Sequence, residues 1–478
     1  MSDQLKLGFV PASRAMFDQQ LAVSVRDACI AAMSDAGIQP VVPDSGLTKN
    51  GLVQSLDDAG KVGRLFDDEG VAGVVIGALN FGEEIPAAIA ATHGAADRPV
   101  MLFGIGEEGE LTREGARRDA FCGLISIATA LRHREAKFAF PRTAVGFPDA
   151  KGFAGALAEF RDACRGVSAV RGAVYGQFGP RPANFETCAF DELSLMRKLG
   201  IRVVPVPLTT LFAKAGYARE KSVRETYARM EEQVDRTGVS DLDLSRMARL
   251  EVVLTEMVEE NGLDGLGLQC WTSIQEDYGI SPCFVMSRLT DRGIPCACEV
   301  DIHGVLSMHL LSAVAGMPAG LADWNNRHTS EPDIFSAWHC GVFPASMAGG
   351  GCRLGFHNIL AEDTGSPEGK YGTIELELES GPLTIARVTE HPWDEWPVLV
   401  AEGEVVKAAG EPYGSHGWVK VSDLDCLYAA VLRGFPHHAA IAHGHHAPAL
   451  LAASYFLGLE PVVPLEVGAG NLELGPEY

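Results

Sequence analysis

The chain contains 478 residues, with 63 Asp and Glu against 39 Lys and Arg, so its formal net charge is −24 at neutral pH. This acidity excludes proteins that bind nucleic acid or an anionic membrane surface through clustered Lys and Arg. The hydrophobic fraction of 47% is enough for several buried cores, which excludes a disordered acidic tail. The length predicts two to four domains, because a domain typically has about 100–200 residues.

The N-terminal residues 1–18 lack the basic segment and apolar core of a signal peptide. No run of about 18 uninterrupted apolar residues is present; the closest, residues 440–457, contains three histidines. We therefore predict a cytoplasmic protein with no membrane partner. The 11 cysteines are scattered and include no CxxC pair, so we interpret them as reduced thiols.

The first half of the chain alternates short apolar runs with helical patterns, which is typical of a doubly wound parallel sheet. In the first set, strands are predicted at residues 5–11, 40–43, 71–79 and 99–103, and helices at 18–36, 53–68 and 86–92. A second set begins near residue 169. It has predicted strands at 170–175, 201–205, 265–269 and 295–300, and helical stretches at 185–199, 217–261, 283–292 and 305–315.

The pattern changes after about residue 320. In residues 372–378 and 383–388 apolar and polar residues alternate, which is typical of an antiparallel sheet or barrel. Helical stretches follow at 423–432 and 439–457. We therefore predict an α/β protein with two tandem Rossmann-like domains and a β-rich, barrel-like C-terminal domain with late helices. The predicted boundaries are residues 1–165, 166–317 and 318–478.

One motif suggests a dinucleotide site but has the wrong context. Residues 104–109 match G-x-G-x-x-G, yet they follow the fourth predicted strand rather than the first. Glu107 and Glu108 also lie where a pyrophosphate needs backbone N–H groups and a positive field. We interpret the motif as an ordinary turn between a strand and a helix. The sequence contains no GxxxxGK[ST], GxSxG or HExxH, so nucleotide binding, serine hydrolysis and zincin chemistry have no support.

Twelve of the 14 histidines lie between His303 and His446, which marks this third of the chain as the chemical region. Glu299 and Asp323 each follow an apolar extended segment, and ligands of open α/β sheets bind beyond the carboxyl ends of strands. Two carboxylates with one imidazole suit Mg²⁺ or Mn²⁺. The competing interpretation is that both are surface or helix-capping acids.

Four segments resemble the L-fucose isomerase family, which is related to the L-arabinose isomerases. They are residues 293–304, with the run from Glu299 to Gly304, and residues 322–323, 338–341 and 434–438. Members of that family interconvert aldoses and ketoses and bind a divalent metal, typically Mn²⁺, through a glutamate, an aspartate and a histidine. In the family the aspartate follows the glutamate by 24 positions, as Asp323 follows Glu299 here.

The resemblance implies roles for individual residues. Mn²⁺, or Mg²⁺, would be held by Glu299, Asp323 and His438, and the two carboxylates would also be catalytic. Substrate contacts are implied for Arg14, Gln269, His339 and His437. In the family the arginine acts across a subunit boundary, so a homo-oligomer, a trimer or hexamer, is expected.

The chain also departs from the family. It is shorter than the larger members, mainly in the C-terminal domain that shapes the sugar pocket, and His437 stands where they carry an asparagine. The resemblance therefore implies the metal chemistry of the family but not the identity of the sugar. The net charge favours a neutral polyol, because Arg14, Arg327 and Arg433 are the only positive groups that we place near the expected site.

The expected function is a divalent-metal-dependent ketol isomerase acting on an open-chain monosaccharide. Glu299 and Asp323 would move a proton between C1 and C2 through a metal-bound ene-diolate. A metal-assisted hydride shift stays open, as does an epimerase or lyase that uses the same site. A non-catalytic sugar-binding protein is the remaining alternative, although it has no need of two carboxylates and a histidine.

Overall fold

The structure of the protein is a computed structural model that describes residues 4–113, 115, 117–392, 394–410 and 412–476, with Lys151 described by its backbone alone. The described chain divides into two units. The first contains residues up to 168, residues 448–458 and those from 468 onward, and the second contains residues 169–447 and 459–467. The predicted second and third domains thus lie largely in one unit, and the three-domain division stays a prediction.

The first unit is built on a mainly parallel sheet. Its leading elements are β1 Leu5–Ala12, α1 Gln19–Asp35, β2 Ile38–Val41, α2 Leu56–Glu69, β3 Gly73–Ala78, α3 Glu84–Thr92, β4 Val100–Ile105, α4 Ala120–Arg132, β5 Phe138–Pro141, β6 Val145–Gly146 and α5 Lys151–Val170. The parallel strands follow the order 2-1-3-4-5, which is common in doubly wound sheets. β3 and β4 are buried along their whole length, as the apolar runs in the sequence predict for a sheet covered on both faces.

The glycine motif at residues 104–109 is an ordinary turn, as predicted. The Glu107 carboxylate accepts hydrogen bonds from the backbone N–H groups of Arg118, at 2.8 Å, and Asp119, at 3.0 Å. The Glu108 carboxylate accepts a hydrogen bond from the buried Arg118 guanidinium at 2.7 Å. Both carboxylates therefore stabilise the loop that leads to α4, and neither leaves a positive cradle for a phosphate.

The second unit begins with a four-stranded parallel sheet in the order β10-β9-β7-β8. Its elements are β7 Val174–Phe178, α6 Glu192–Leu199, β8 Arg202–Val206, α7 Leu208–Gly216, α8 Glu220–Gln233, α9 Asp241–Asn261, β9 Gly265–Leu268, α10 Cys283–Asp291, β10 Cys296–Cys298 and α11 Ile302–Ala315. The predicted alternation is therefore present here too. The predicted strand at 170–175 starts late, because Val170 ends α5 and β7 begins at Val174.

The remaining elements are mostly strands: β11 Gly320–Arg327, β12 Ile334–His339, β13 Arg353–Phe356, α12 Asn358–Thr364, β14 Tyr371–Glu377, β15 Gly381–Val388, β16 Pro397–Val406, β17 Ser415–Lys420, α13 Leu424–Val431, β18 His438–His443, α14 Ala447–Leu457, β19 Glu460–Val462 and β20 Leu472–Leu474. In the second unit, six of them pair antiparallel in the closed order β17-β12-β11-β18-β15-β16, and β16 pairs back with β17. The β-rich C-terminal region is thus confirmed, and its centre is a closed barrel. In the first unit, β20 pairs with β5.

One predicted helix is partly wrong. Residues 439–457 have an apolar, Ala-rich pattern that suggests one helix, yet β18 occupies His438–His443 and the helix begins only at Ala447. The first five residues of β18 are buried, so no alternation marks it as a strand. This correction matters for the site, because the strand carries His438.

The structure also bears on the membrane and disulfide predictions. None of the described helices is long and apolar enough to span a membrane. No disulfide links any two of the described cysteines, and eight of the eleven are buried. The interpretation of the cysteines as reduced thiols stays a prediction.

Candidate active site

Glu299 lies at a strained turn between a strand of the parallel sheet and a helix. It follows β10, and both Glu299 and Val300 have positive φ angles, of 60° and 59°. Such angles are rare for a β-branched residue, and strain of this kind concentrates at functional sites. The Trp271 indole N–H donates to Glu299 Oε1 at 3.2 Å. The turn and this hydrogen bond together fix the direction of the carboxylate.

Asp323 and His438 lie directly opposite each other on the antiparallel barrel strands β11 and β18. Opposed residues place their side chains on the same face of a sheet, so the two groups meet. The His438 Nε2 atom lies 3.5 Å from Asp323 Oδ1 and 3.3 Å from Glu299 Oε2. The structure therefore brings together the three residues that the resemblance implied as metal ligands.

The sequence argument for pairing the two carboxylates was wrong in one respect. It placed both at the carboxyl ends of strands in an α/β sheet, but Asp323 lies in the middle of β11, in the barrel. Glu299 comes from the parallel sheet. The second unit contains both the parallel sheet and the barrel, so Glu299 and Asp323 come from different sheets of the same unit.

The three facing atoms fit a bound cation. Glu299 Oε2, Asp323 Oδ1 and His438 Nε2 are each buried and lack a hydrogen-bond partner within the described ranges. A buried polar atom left unpaired costs about 1–3 kcal/mol. Oxygen atoms from two carboxylates with one imidazole nitrogen are a donor set that suits Mn²⁺ or Mg²⁺. A divalent ion between them would satisfy all three atoms.

A buried ion pair holds the His438 ring in place. His438 Nδ1 lies 2.9 Å from Asp301 Oδ2, and the Arg387 guanidinium donates to both Asp301 oxygens at 2.6 and 3.0 Å. This arrangement directs the Nδ1 proton to Asp301 and leaves Nε2 facing Glu299 and Asp323. Carboxylates of this kind orient metal-binding histidines in many proteins.

Charges in the site oppose the effect of burial on pKa. Burial alone would raise the pKa of Glu299, but the imidazoles of His437 and His438 lower it overall. Burial would lower the pKa of His438, but Asp301 and other neighbours raise it well above its usual value, so a cation that binds Nε2 has to displace a proton. The Glu299 carboxylate is therefore ionised at neutral pH and can bind a cation.

A cavity of about 290 Å³ opens onto these residues. It is lined by Phe185, Trp271, Glu299, Asp323, Trp338, His339, Cys340, His357, Ile359, Leu360 and His437. Carboxylates and imidazoles thus share the cavity with aromatic rings, the kind of mixed surface that binds a small polar molecule. No Lys or Arg is among these lining residues.

Two of the histidines implied as substrate contacts line the cavity. His437 Nε2 lies 3.5 Å from Glu299 Oε2 and 3.9 Å from Asp323 Oδ1. The His339 ring stacks on the His438 ring with centroids 5.4 Å apart, and its buried Nε2 atom has no hydrogen-bond partner in the described chain. Both imidazoles are therefore placed to contact a molecule in the cavity.

The other two implied substrate contacts are not among the lining residues. The Gln269 side-chain amide donates to Ser273 Oγ at 3.1 Å. Arg14 lies in the first unit, where its guanidinium sits 4.3 Å from the Phe81 ring centre and its Nε atom lies 3.2 Å from Glu83 Oε1. Contacts of these two residues with a substrate stay predictions.

Several residues of the site were missed in the sequence. Asp301 lies two positions after Glu299, within the segment 293–304 that resembles the L-fucose isomerase family, but no role was assigned to it. Arg387 could have been noticed in the sequence, because it is a charged residue inside the apolar run of β15. Cys188 gave no signal: it is buried in a short helical turn, with its sulfur within 4.8 Å of ligand atoms of Glu299 and His438.

Comparisons with known proteins identify related enzymes. Residues 8–171 match the family "Fucose/sulfoquinovose isomerase, N-terminal domain", and residues 338–463 match "L-fucose isomerase, C-terminal domain". The sulfoquinovose isomerases of Priestia aryabhattai and Priestia megaterium are each 27% identical over 371 residues, 77% of this chain and 80% of theirs. That of Alkalicoccus urumqiensis is 28% identical over 309 residues, 63% of this chain and 66% of its own.

These matches define an aldose–ketose isomerase, an intramolecular oxidoreductase. Both ends of the chain match the same group of enzymes. The chain belongs to the L-fucose isomerase-like family.

Proposed function

We propose that this isomerase depends on a divalent metal ion, Mn²⁺ or Mg²⁺, held by Glu299, Asp323 and His438. The observation that carries the proposal is that two buried carboxylate oxygens, Glu299 Oε2 and Asp323 Oδ1, both lie within 3.5 Å of His438 Nε2, and none of the three atoms has a hydrogen-bond partner in the described chain. When bound, such an ion polarises a sugar carbonyl and stabilises the negative charge that develops when the neighbouring proton leaves.

The protein's own side chains supply the proton transfer. Glu299 and Asp323 each have two carboxylate oxygens, so one can face the cation while the other exchanges a proton with C1 or C2 of the sugar. The Trp271 N–H holds Glu299 Oε1 in a fixed direction. The aromatic side chains of Trp271, Trp338 and Phe185 line the cavity and would limit the access of water. We propose the ene-diol route on this basis.

The names of the relatives support sulfoquinovose, a sulfonated sugar, as the substrate to test first. The charge balance of the chain favours a neutral polyol, so L-fucose and D-arabinose belong in the same assay. Arg327, one of the cations that we placed near the site, pairs with Asp425 at the surface. Arg14, in the first unit, stays a predicted substrate contact. The homo-oligomeric state and the cytoplasmic location also stay predictions.

Removing the metal is expected to abolish activity. Protein treated with a chelator and desalted should lose at least about 100-fold in kcat, because the charge that stabilises the transition state is gone. Adding Mn²⁺ should restore turnover of the best sugar in the panel. Metal content is measured by mass spectrometry in parallel with turnover.

The matched variants for this test are two histidine substitutions. His438→Ala should lower the affinity for Mn²⁺, whereas His445→Ala should not, because the His445 side chain is 58% exposed and pairs with Glu402 instead. Full activity in protein shown to contain no metal would contradict metal dependence.

The proton-transfer route makes a separate prediction about solvent isotope. In D₂O, the product should carry deuterium at the carbon that receives the proton, because a carboxylate that holds it can exchange it with water before returning it. Nuclear magnetic resonance of the product measures the label. Product without deuterium, formed in several solvent conditions, would favour a hydride shift instead.

A further inference from the structure

Two buried thiols lie in contact beside the active-site cavity. The sulfur of Cys283, the first residue of α10, is 3.8 Å from the sulfur of Cys340, which directly follows β12. A disulfide bond is about 2.05 Å long, so each sulfur would need to move only about 0.9 Å to form one. Neither thiol has a part in the isomerisation as described above.

The two sulfurs differ in their access to small molecules. Cys340 is one of the cavity-lining residues, whereas Cys283 is not and is only 1% exposed. A small oxidant that enters the cavity therefore meets Cys340 first. Cys283 does not line the cavity, but its sulfur is close enough to Cys340 to form a disulfide once Cys340 is oxidised.

The surroundings of Cys340 favour its reactive form. Its sulfur lies 3.1 Å from His339 Nδ1. Contacts from the Cys283 and Cys298 thiols, together with His339, hold the pKa of the Cys340 thiol well below its usual value despite burial. A thiol with a low pKa beside an imidazole is the usual setting of an oxidation-sensitive cysteine.

We propose that Cys340 and Cys283 form a peroxide-responsive disulfide that turns the isomerase off. The Cys340 thiolate attacks hydrogen peroxide, the O–O bond breaks, hydroxide leaves, and Cys340 becomes a sulfenic acid. The Cys283 sulfur then attacks the Cys340 sulfur, the S–O bond breaks, and water leaves as the disulfide forms. Peroxide is thereby reduced by two electrons, which the two thiols supply.

The disulfide would act on the site through His339. This residue precedes Cys340, lines the cavity, and stacks on the proposed metal ligand His438. Drawing the Cys340 sulfur toward α10 shifts the peptide that both residues share and so moves the imidazole. The loss of activity rests on the proposed function, whereas the disulfide itself does not.

The test begins from a parent in which the two exposed thiols, Cys122 and Cys426, are replaced by Ser to remove background oxidation. The folded parent is treated with hydrogen peroxide, digested, and analysed by tandem mass spectrometry. We expect a cross-linked peptide pair joining residues 283 and 340, which dithiothreitol separates. Isomerase activity should fall at least about tenfold as the cross-link accumulates and should return with dithiothreitol.

Two further variants separate the proposal from general oxidation. Cys283→Ala should give no cross-link, and its Cys340 should continue to sulfinic acid with a loss of activity that dithiothreitol does not reverse. Cys296→Ala is the matched control, since Cys296 is equally buried but not part of the pair, and it should cross-link as the parent does.

Three results would overturn the proposal: no cross-link in the folded parent, a cross-link from Cys340 to Cys298 instead of Cys283, or a complete cross-link with unchanged activity. If no sugar in the panel is isomerised, the mass measurement still decides whether the disulfide forms. Failure of the proposed function and failure of the proposed disulfide are therefore distinguishable.

Discussion

Glu299→Gln is expected to lower kcat by about 10²–10⁴-fold, because an amide cannot take or return the proton that moves between C1 and C2. The substitution keeps the size of the side chain but removes the charge that faces His438. Affinity for Mn²⁺ should fall as well. Steady-state kinetics on the best substrate and a metal-binding titration measure the two effects.

Asp425→Asn is the control for this substitution. Asp425 is an exposed carboxylate of the same unit that pairs with Arg327 and does not line the cavity, so the variant should retain parental kinetics. Circular dichroism shows whether each variant is folded. Parental kcat in a folded Glu299→Gln protein would remove Glu299 from the catalytic assignment.

The second large effect is expected from Asp301→Asn. Removing this charge leaves Arg387 buried without its counter-ion, since both side chains are at most 1% exposed. Breaking a buried ion pair in this way costs about 3–5 kcal/mol in the free energy of unfolding. The His438 ring also loses its acceptor, which should weaken Mn²⁺ binding by about 10–100-fold. Chemical denaturation and a Mn²⁺ titration measure these two quantities.

A second buried ion pair provides the matched control. Glu251 accepts hydrogen bonds from the Arg288 guanidinium at 2.5 and 3.2 Å and is 1% exposed, but it contacts no residue of the site. Glu251→Gln should therefore destabilise the fold to a similar extent while leaving the affinity for Mn²⁺ unchanged. If both variants bind Mn²⁺ equally well, Asp301 does not position His438.

The elements of the first half were predictable because their patterns are local. The helix predicted at 18–36 is α1, and Asp18 caps it by accepting hydrogen bonds from the backbone N–H groups of Gln20 and Leu21. The apolar run 71–79 contains the fully buried β3. Such signals lie in neighbouring residues, so no tertiary information is needed to read them.

The barrel was predictable only in outline. Alternating runs after residue 320 indicate antiparallel strands, but the closure depends on pairing between β16 and β17 and on β18 between β11 and β15. Because β18 is buried on both faces, its sequence resembles a helix as much as a strand. Long-range pairing, rather than local preference, decided its conformation.

By itself, the sequence determined the chemical region, through the concentration of histidines, and the identity of Glu299, Asp323 and His438 as one set, through the resemblance. Only the tertiary structure showed how the turn after β10 and the barrel strands β11 and β18 bring the carboxylates of Glu299 and Asp323 within 3.5 Å of His438 Nε2. It alone revealed the Arg387–Asp301 pair behind His438 and the Cys283–Cys340 contact. The physical reason is that these partners lie 86 and 57 positions apart, a separation that carries no periodic signal and is bridged only by packing.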